Sequence, residues 1–402
     1  MMAGTINKEL RHIANNYKSL PISIRRGTGI YLEDTYGRKY MDFIGGYSAV
    51  NQGHCHPKIV GELKKQASKL TICSRAFHNE MLAEYGAFMT NRFNYEKILP
   101  TNTGVEAVET GMKIARSWGY NKKYIDKGKA KIIVANNNFG GRTITAVSAS
   151  TDPTAYEDYG PRTPGFIKIP YNNIDALIDV LSGEEEDNIC ALMIEPIQGE
   201  GGIIVPDEDY LAKARRICTM FNILFICDEV QTGLGRTGKL YESDNQITKP
   251  DVLLLGKSLS GGMFPISAVL ANKSVMDVIK PGTHGSTFGG SALSSVVAMK
   301  SVDVLIRENM IINSKKMGHL FRKELSNIDS MVVKDVRGKG LMNGIEFYRE
   351  ELADKFIIKL MENGILTKST KSTVVRFTPP LVITANEINK SVDIINKCIR
   401  EL

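Results

Sequence analysis

The middle of this chain alternates short, unbroken apolar runs with stretches of helical periodicity. That alternation narrows the fold more than any other feature of the sequence. The apolar runs are KIIVA at 131–135, ICALMIE at 189–195, NILFIC at 222–227 and DVLLL at 251–255. They are continuous rather than alternating and rich in β-branched residues, as a strand is when both of its faces are buried. KIVGELKKQASKL at 58–70 places Ile59, Leu63, Ala67 and Leu70 on one helical face. GVEAVETGMKIARSW at 104–118 does the same with Val105, Val108, Met112 and Ala115, and DEDYLAKARRICTMF at 207–221 reads as a third helix. Strands alternating with helices predict an α/β fold, with a mostly parallel sheet covered by helices.

A chain of 402 residues exceeds one ordinary small core. Its texture changes towards both ends. Residues 1–57, with GIYLEDTYGRKYMDFI, read as an N-terminal segment of turns and short strands. Residues 58–310 read as the large domain. From 311 to 402, VVKDVRGKGLMNGIEF, a helix, VVRFTPPLVI and a last helix predict a small α+β domain.

Composition excludes several function classes. The net charge of +7 is mild, and the densest basic stretch, NKKYIDKGKAK at 121–131, reads as a solvated loop. Small anionic ligands suit this balance better than nucleic acid does. No apolar run approaches the roughly 20 residues of a membrane span. The six cysteines form no C-x-x-C pair, which fits reduced thiols in a cytoplasmic protein. GHCHP at 53–57 lacks metal-site spacing. The opening MMAGTINKELRHIANN has no apolar signal core, so neither secretion nor organelle import is expected.

The chemistry gathers where strands end. NILFIC runs into Asp228, and DVLLL runs into Gly256, Lys257 and Ser258. Ligands of parallel α/β sheets bind beyond the carboxyl ends of the strands. One acid and one amine are therefore offered to the same crevice, although a structural ion pair would give the same pattern. GKS is not a phosphate-binding P-loop, because position 251 is Asp where that loop needs Gly. Gly233, Gly235 and Gly238 spell G-x-G-x-x-G, the mark of a nicotinamide dehydrogenase. Five residues separate them from the apolar run, however, and KLYESDNQ is a poor helix start. A Lys that loses its proton can attack a carbonyl, and an Asp can hold a pyridine nitrogen protonated. Together they are what pyridoxal 5′-phosphate requires. Its phosphate needs a helix N-terminus, which NTGVEAVE supplies at Thr103 and Gly104, though an ordinary N-cap reads the same way.

The order and spacing of SAVNQGHCHPKI, SRAFHN, NTGVEAVET, NNNFGGRT, EPIQGEGG, DEVQTGLGRTGK, LLLGKSLSGG, HGSTFGG, VRGKGL and VRFTPPLVI carry a resemblance. From about residue 11 onwards the chain resembles the class III pyridoxal-phosphate aminotransferases, and among them most the ornithine-using branch. The resemblance implies fold type I and a homodimer with active sites at the subunit interface. It implies that Lys257 attaches the cofactor and shuttles a proton, that Asp228 pairs with the ring nitrogen, and that Gln231 binds the ring hydroxyl. Phe139 and Val230 would flank the ring, and the amides of Gly104 and Val105 would hold the phosphate. Ser286 and Thr287 would reach that phosphate from the neighbouring subunit.

For substrate, Arg142 matches the position that grips a carboxylate remote from the reacting carbon. Arg376 matches a second arginine, and Glu200 matches a switch that masks it. Tyr17 and Tyr47 match the tyrosines at the α-amino acid end of ornithine. The implied reaction moves ornithine's terminal amine to 2-oxoglutarate. Related donors, N-acetylornithine or 4-aminobutyrate, are the alternatives. The chain departs from the pattern at Gly140, at GGSALS (289–294) and at Gly45-Gly46 before Tyr47. The expected consequences are a looser wall near Arg142, a different turn after Thr287 and a more mobile Tyr47.

Overall fold

The computed structural model describes residues 2–328 and 331–402. In chain order its strands are β1 (Ile24–Thr28), β2 (Tyr31–Asp34), β3 (Lys39–Asp42), β4 (Lys97–Thr101), β5 (Lys131–Ala135), β6 (Phe166–Ile169), β7 (Ile189–Ile194) and β8 (Leu224–Asp228). There follow β9 (Val252–Leu255), β10 (Ser267–Ala271), β11 (Val333–Lys339), β12 (Met342–Phe347), β13 (Ile365–Leu366), β14 (Lys368–Thr370) and β15 (Val374–Phe377).

Seven of them form the central sheet, in the order β4-β10-β9-β8-β7-β5-β6. From β9 to β6 every pairing is parallel, and β10 runs antiparallel to both of its neighbours. Every residue of β7, β8, β9 and β10 is buried, which is why three of these four strands read as unbroken apolar runs. The fold is α/β, as the alternation predicts. The strands that the periodicity does not reveal have weaker patterns for physical reasons. β4 (KILPT) and β6 (FIKI) are the sheet edges, where Lys and Pro are tolerated, and β10 (SAVLA) is short and made partly of small residues.

The helix Gly104–Asn121 packs on the sheet through Ala107, Val108, Met112 and Ala115. The helix Pro57–Ala67 ends three residues before the predicted boundary. Ile59 is buried and Leu63 partly buried, but Ala67 and Leu70 are exposed and Gln66 is buried instead. Gln66 Nε2 donates to Leu70 O at 2.8 Å, satisfying a carbonyl just past the helix end.

A second, antiparallel sheet, β11-β12-β15-β14, packs with the helices Met310–Ser326, Glu350–Glu362 and Ala385–Arg400. The third sheet joins the two ends of the sequence, because β1-β2-β3 is extended by β13, which lies parallel to β3 with Ile365 beside Met41. Phe43, Phe321 and Phe377 meet with ring centroids 5.6–5.8 Å apart, so the early and late residues share one core. Among the described residues, no helix is long and apolar enough to cross a membrane.

Candidate active site

Three neighbouring strands deliver charge at one end of the central sheet. β8 ends in Asp228, β7 is followed by Glu195, and β9 by Gly256 and Lys257. All three side chains line one cavity, together with Gly104, Val105, Phe139, Glu200, Val230 and Gln231. Lys257 has a φ of +45°, a left-handed conformation that a non-glycine residue adopts only where its surroundings enforce it.

Electrostatics divide the cavity. Asp228 Oδ1 accepts from the Val230 N–H at 3.0 Å, yet burial pushes the carboxyl up to about 6, against that hydrogen bond and the charge of Lys257. Burial pushes the Lys257 amine down from its ordinary value. Arg376 pushes in the same direction, while Glu200, Asp228 and Glu195 oppose it. A buried amine with a lowered proton affinity is the kind that attacks carbonyls.

Glu195 is not among the residues singled out from the sequence. Its carboxyl accepts from the Phe139 N–H at 3.0 Å and the Gly199 N–H at 3.1 Å, so it braces the loops that carry Phe139 and Glu200. Burial, with the charge of Asp228, raises it to about 8. The available signal was its position: it ends ICALMIE as Asp228 ends its own strand.

Behind Glu200, which lines the cavity, Arg376 on β15 is buried, and its Nη2 donates to Glu200 Oε2 at 2.7 Å. Gln231 Nε2 donates to Glu200 Oε1 at 3.4 Å. Burial alone would raise the Glu200 carboxyl, but Arg376, Lys257 and Gln231 together hold it at about 2. Nε and Nη1 of Arg376 are buried without a hydrogen-bond partner among the described residues. The ring of Tyr47 lies over the same guanidinium, 5.2 Å from its carbon.

Tyr47 sits in an unusual turn. Gly45, Gly46, Tyr47 and Ser48 have φ values of +57°, +56°, +57° and +71°, four consecutive left-handed residues. Each non-glycine residue so placed costs about 1–2 kcal/mol. The two glycines that distinguish this chain therefore suit the turn, and only Tyr47 and Ser48 carry the strain. Gly140 likewise leaves little room, because a Cβ there would lie 3.1 Å from Val108 Cγ1. GGSALS gives the helix Ala292–Arg307 its cap, with Ser291 Oγ accepting from the Ser294 N–H at 3.1 Å.

Other predicted residues do not line the cavity, although Tyr17 is near enough to Tyr47 to add to burial in raising its phenol. Arg142 is exposed, with its guanidinium carbon 5.3 Å from the Phe139 ring centroid. Tyr17 is 64% exposed, with Lys368 Nζ 5.5 Å from its ring. Ser286 and Thr287 do not line the cavity. They border a separate cleft with residues 72–75, and Ser286 Oγ accepts from Asn102 Nδ2 at 2.7 Å. The glycine-rich run after Asp228 opens no helix. Its centre is the fully buried Arg236, which donates to Leu341 O at 2.8 Å and Pro379 O at 2.6 Å. The run is a joint between the central sheet and the small antiparallel unit.

An amine and a carboxyl at neighbouring strand ends, sharing a cavity with the first residues of a helix, are the arrangement a pyridoxal-phosphate transferase requires. The chain belongs to the class-III aminotransferases, whose family model matches residues 12–399. It is 51% identical over 392 residues to the mitochondrial ornithine aminotransferase of Drosophila melanogaster, covering 98% of this chain and 90% of that one. A solved ornithine aminotransferase from Toxoplasma gondii, described with pyridoxal phosphate partly occupying its active site, superposes with a TM-score of 0.97 at 43% identity. That match covers 100% of this chain and 94% of the Toxoplasma chain. An acetylornithine aminotransferase from Elizabethkingia anophelis superposes with a TM-score of 0.93 at 49% identity, covering 100% and 99%.

The cofactor of the family is pyridoxal 5′-phosphate, and the cavity suits it. Gln231 Oε1 is buried without a partner among the described residues, an acceptor suited to a ring hydroxyl. Gly104 and Val105 are the first residues of a helix, where backbone N–H groups lack partners within the helix.

Proposed function

We propose that this chain transfers the terminal amino group of L-ornithine to 2-oxoglutarate, giving glutamate-5-semialdehyde and glutamate in two half-reactions. The bound cofactor supplies an electron sink for the carbon that loses its proton. Lys257 attaches it and carries that proton. Asp228 keeps the ring nitrogen protonated. Gln231 binds the ring hydroxyl, Phe139 and Val230 fix the plane of the ring, and Gly104 and Val105 hold the phosphate by their amides.

The observation that carries the substrate reading is the masked arginine. Glu200 neutralises Arg376 at 2.7 Å and Tyr47 covers it, so the α-carboxylate of ornithine is not drawn towards the reacting centre. The terminal amine is presented instead, while Tyr17 and Tyr47 receive the α-amino acid end. When glutamate forms in the second half-reaction, Glu200 swings away and the orphaned N–H groups of Arg376 bind its α-carboxylate. Arg142 then takes the distal carboxylate, as a guanidinium can in bidentate fashion.

Ser286 and Thr287 lie outside their own chain's cavity, which supports a homodimer in which they serve the partner subunit's phosphate. Six cysteines without disulfides support a reducing compartment, and we place the protein in the cytoplasm, although the Drosophila relative is named mitochondrial. The Elizabethkingia neighbour makes N-acetylornithine the second reading, opposed by the tyrosines at the distal end.

Steady-state turnover of ornithine, N-acetylornithine and 4-aminobutyrate with 2-oxoglutarate tests the assignment. Ornithine is expected to have the highest kcat/KM and to bleach the yellow protein. Preference for either rival overturns it.

A further inference from the structure

A left-handed turn with two non-glycine residues does not hold itself, so something must pin it. We propose that Asp42 and His54 are positioning residues for substrate recognition: they lock the Gly45–Ser48 turn and thereby keep Tyr47 over Arg376. The proposal rests on the reading that Tyr47 and Arg376 govern how ornithine is held.

Asp42 is the last residue of β3, immediately before the turn. Its Oδ1 accepts from the Ile44 N–H at 2.8 Å and the Gly45 N–H at 2.9 Å, the amides at the turn's entry. Its Oδ2 meets His54 Nε2 at 2.8 Å, so both oxygens are engaged and the carboxylate cannot rotate without losing a bond. His54 is itself fixed. Its backbone N–H donates to Gly29 O at 2.8 Å, and a Cβ on Gly27 would lie 2.9 Å from His54 Cγ, so the ring is walled in.

The same entry to the turn is also held by the residue just after the strand that carries Arg376. Thr378, two residues on, donates from Oγ1 to Ile44 O at 2.8 Å and from its N–H to Phe43 O at 2.7 Å. Thr378 thus registers the chain before the turn to the strand of Arg376, and the Asp42 carboxylate is the anchor that continues into the turn itself, at the Gly45 N–H. Losing that anchor frees the turn to leave its left-handed form, and Tyr47 leaves the guanidinium.

The test is a double-mutant cycle on the cofactor-loaded enzyme, with His54→Ala, Tyr47→Ile and the pair. His54→Ala is expected to raise the KM for ornithine about tenfold and leave kcat and the cofactor absorbance within about twofold. In the Tyr47→Ile background it should change nothing further. His54→Gln, which can still donate to Asp42, should recover most of the loss. His54→Leu fills the space beside Gly27 and removes only the hydrogen bond, so it serves if the alanine variant fails to fold. Effects that add across the cycle, or a parallel fall in cofactor absorbance and kcat, overturn the proposal. A wild type that ignores ornithine, or a Tyr47→Ile variant with unchanged KM, overturns the substrate reading and this inference with it.

Discussion

At one end of the cavity, Asp228, Glu195 and Lys257 stand at the ends of adjacent parallel strands whose residues are wholly buried. Around Glu200 on its wall, Tyr47, Glu200 and Arg376 come from a left-handed turn, a loop after β7 and a strand of the small antiparallel sheet. The first group is positioned by one rigid element and tuned by burial. The second is assembled from three parts of the chain and tuned by one ion pair. The contrast teaches where each kind of specificity resides. In the proposed function, cofactor chemistry belongs to the sheet, and the choice of substrate belongs to contacts that can be broken one at a time.

The largest expected effect lies at the sheet end. Lys257→Ala should lower kcat by at least about a thousandfold, because under the proposed function it removes both the attaching amine and the proton carrier. Cofactor should remain bound without covalent attachment, as absorbance after gel filtration will show. Turnover near that of the wild type would break the comparison at its root.

Next comes the ion pair. Glu200→Ala exposes Arg376 to any α-carboxylate, so attack on α-amines relative to the terminal amine should rise by about ten- to a hundredfold, measured by product analysis with ornithine and glutamate. Unchanged regioselectivity would mean that Arg376 is masked by something else.

The smallest effect is on stability and sharpens the contrast. In the cofactor-free protein the Asp228 carboxyl is raised to about 6, so its ionisation favours the unfolded chain. The penalty is absent below the ordinary carboxylate pKa and is fully present once pH exceeds 6, at on the order of 3 kcal/mol. Asp228→Asn should therefore raise the melting temperature of the cofactor-free protein at pH 8 and leave it nearly unchanged at pH 4. Glu200 has the opposite sign. Held at about 2, it adds stability above the ordinary carboxylate range that is lost as pH falls towards 2. Equal shifts for Asp228→Asn at both pH values would remove burial as the cause.

The same contrast explains what the sequence makes legible. Asp228 and Lys257 follow unbroken apolar runs, and a parallel sheet brings consecutive strand ends together, so their meeting can be reasoned from pattern alone. Glu195 carries the same signal at the end of ICALMIE, but its partners are backbone N–H groups of Phe139 and Gly199, which no side-chain pattern announces. Nothing local brings Arg376 to Glu200, whose 176-residue separation closes only when the small sheet docks on the large one. The glycine-rich run misleads for a related reason. Its role is to carry Arg236 into the carbonyls of Leu341 and Pro379, partners far away in sequence. Left-handed geometry at Tyr47 is equally invisible, since two preceding glycines permit that conformation without requiring it.

Strand β13 lends the pairing of Ile365 and Leu366 to β3, next to the turn that bears Tyr47. A ribosome delivers β3 early and β13 almost last. The bench on which Tyr47 rests is thus finished only after nearly all of the polypeptide has emerged, a contact of high sequence separation that folds slowly. Shortening the late part of the chain would therefore be felt first in the choice of amine, and only afterwards in the grip on the cofactor.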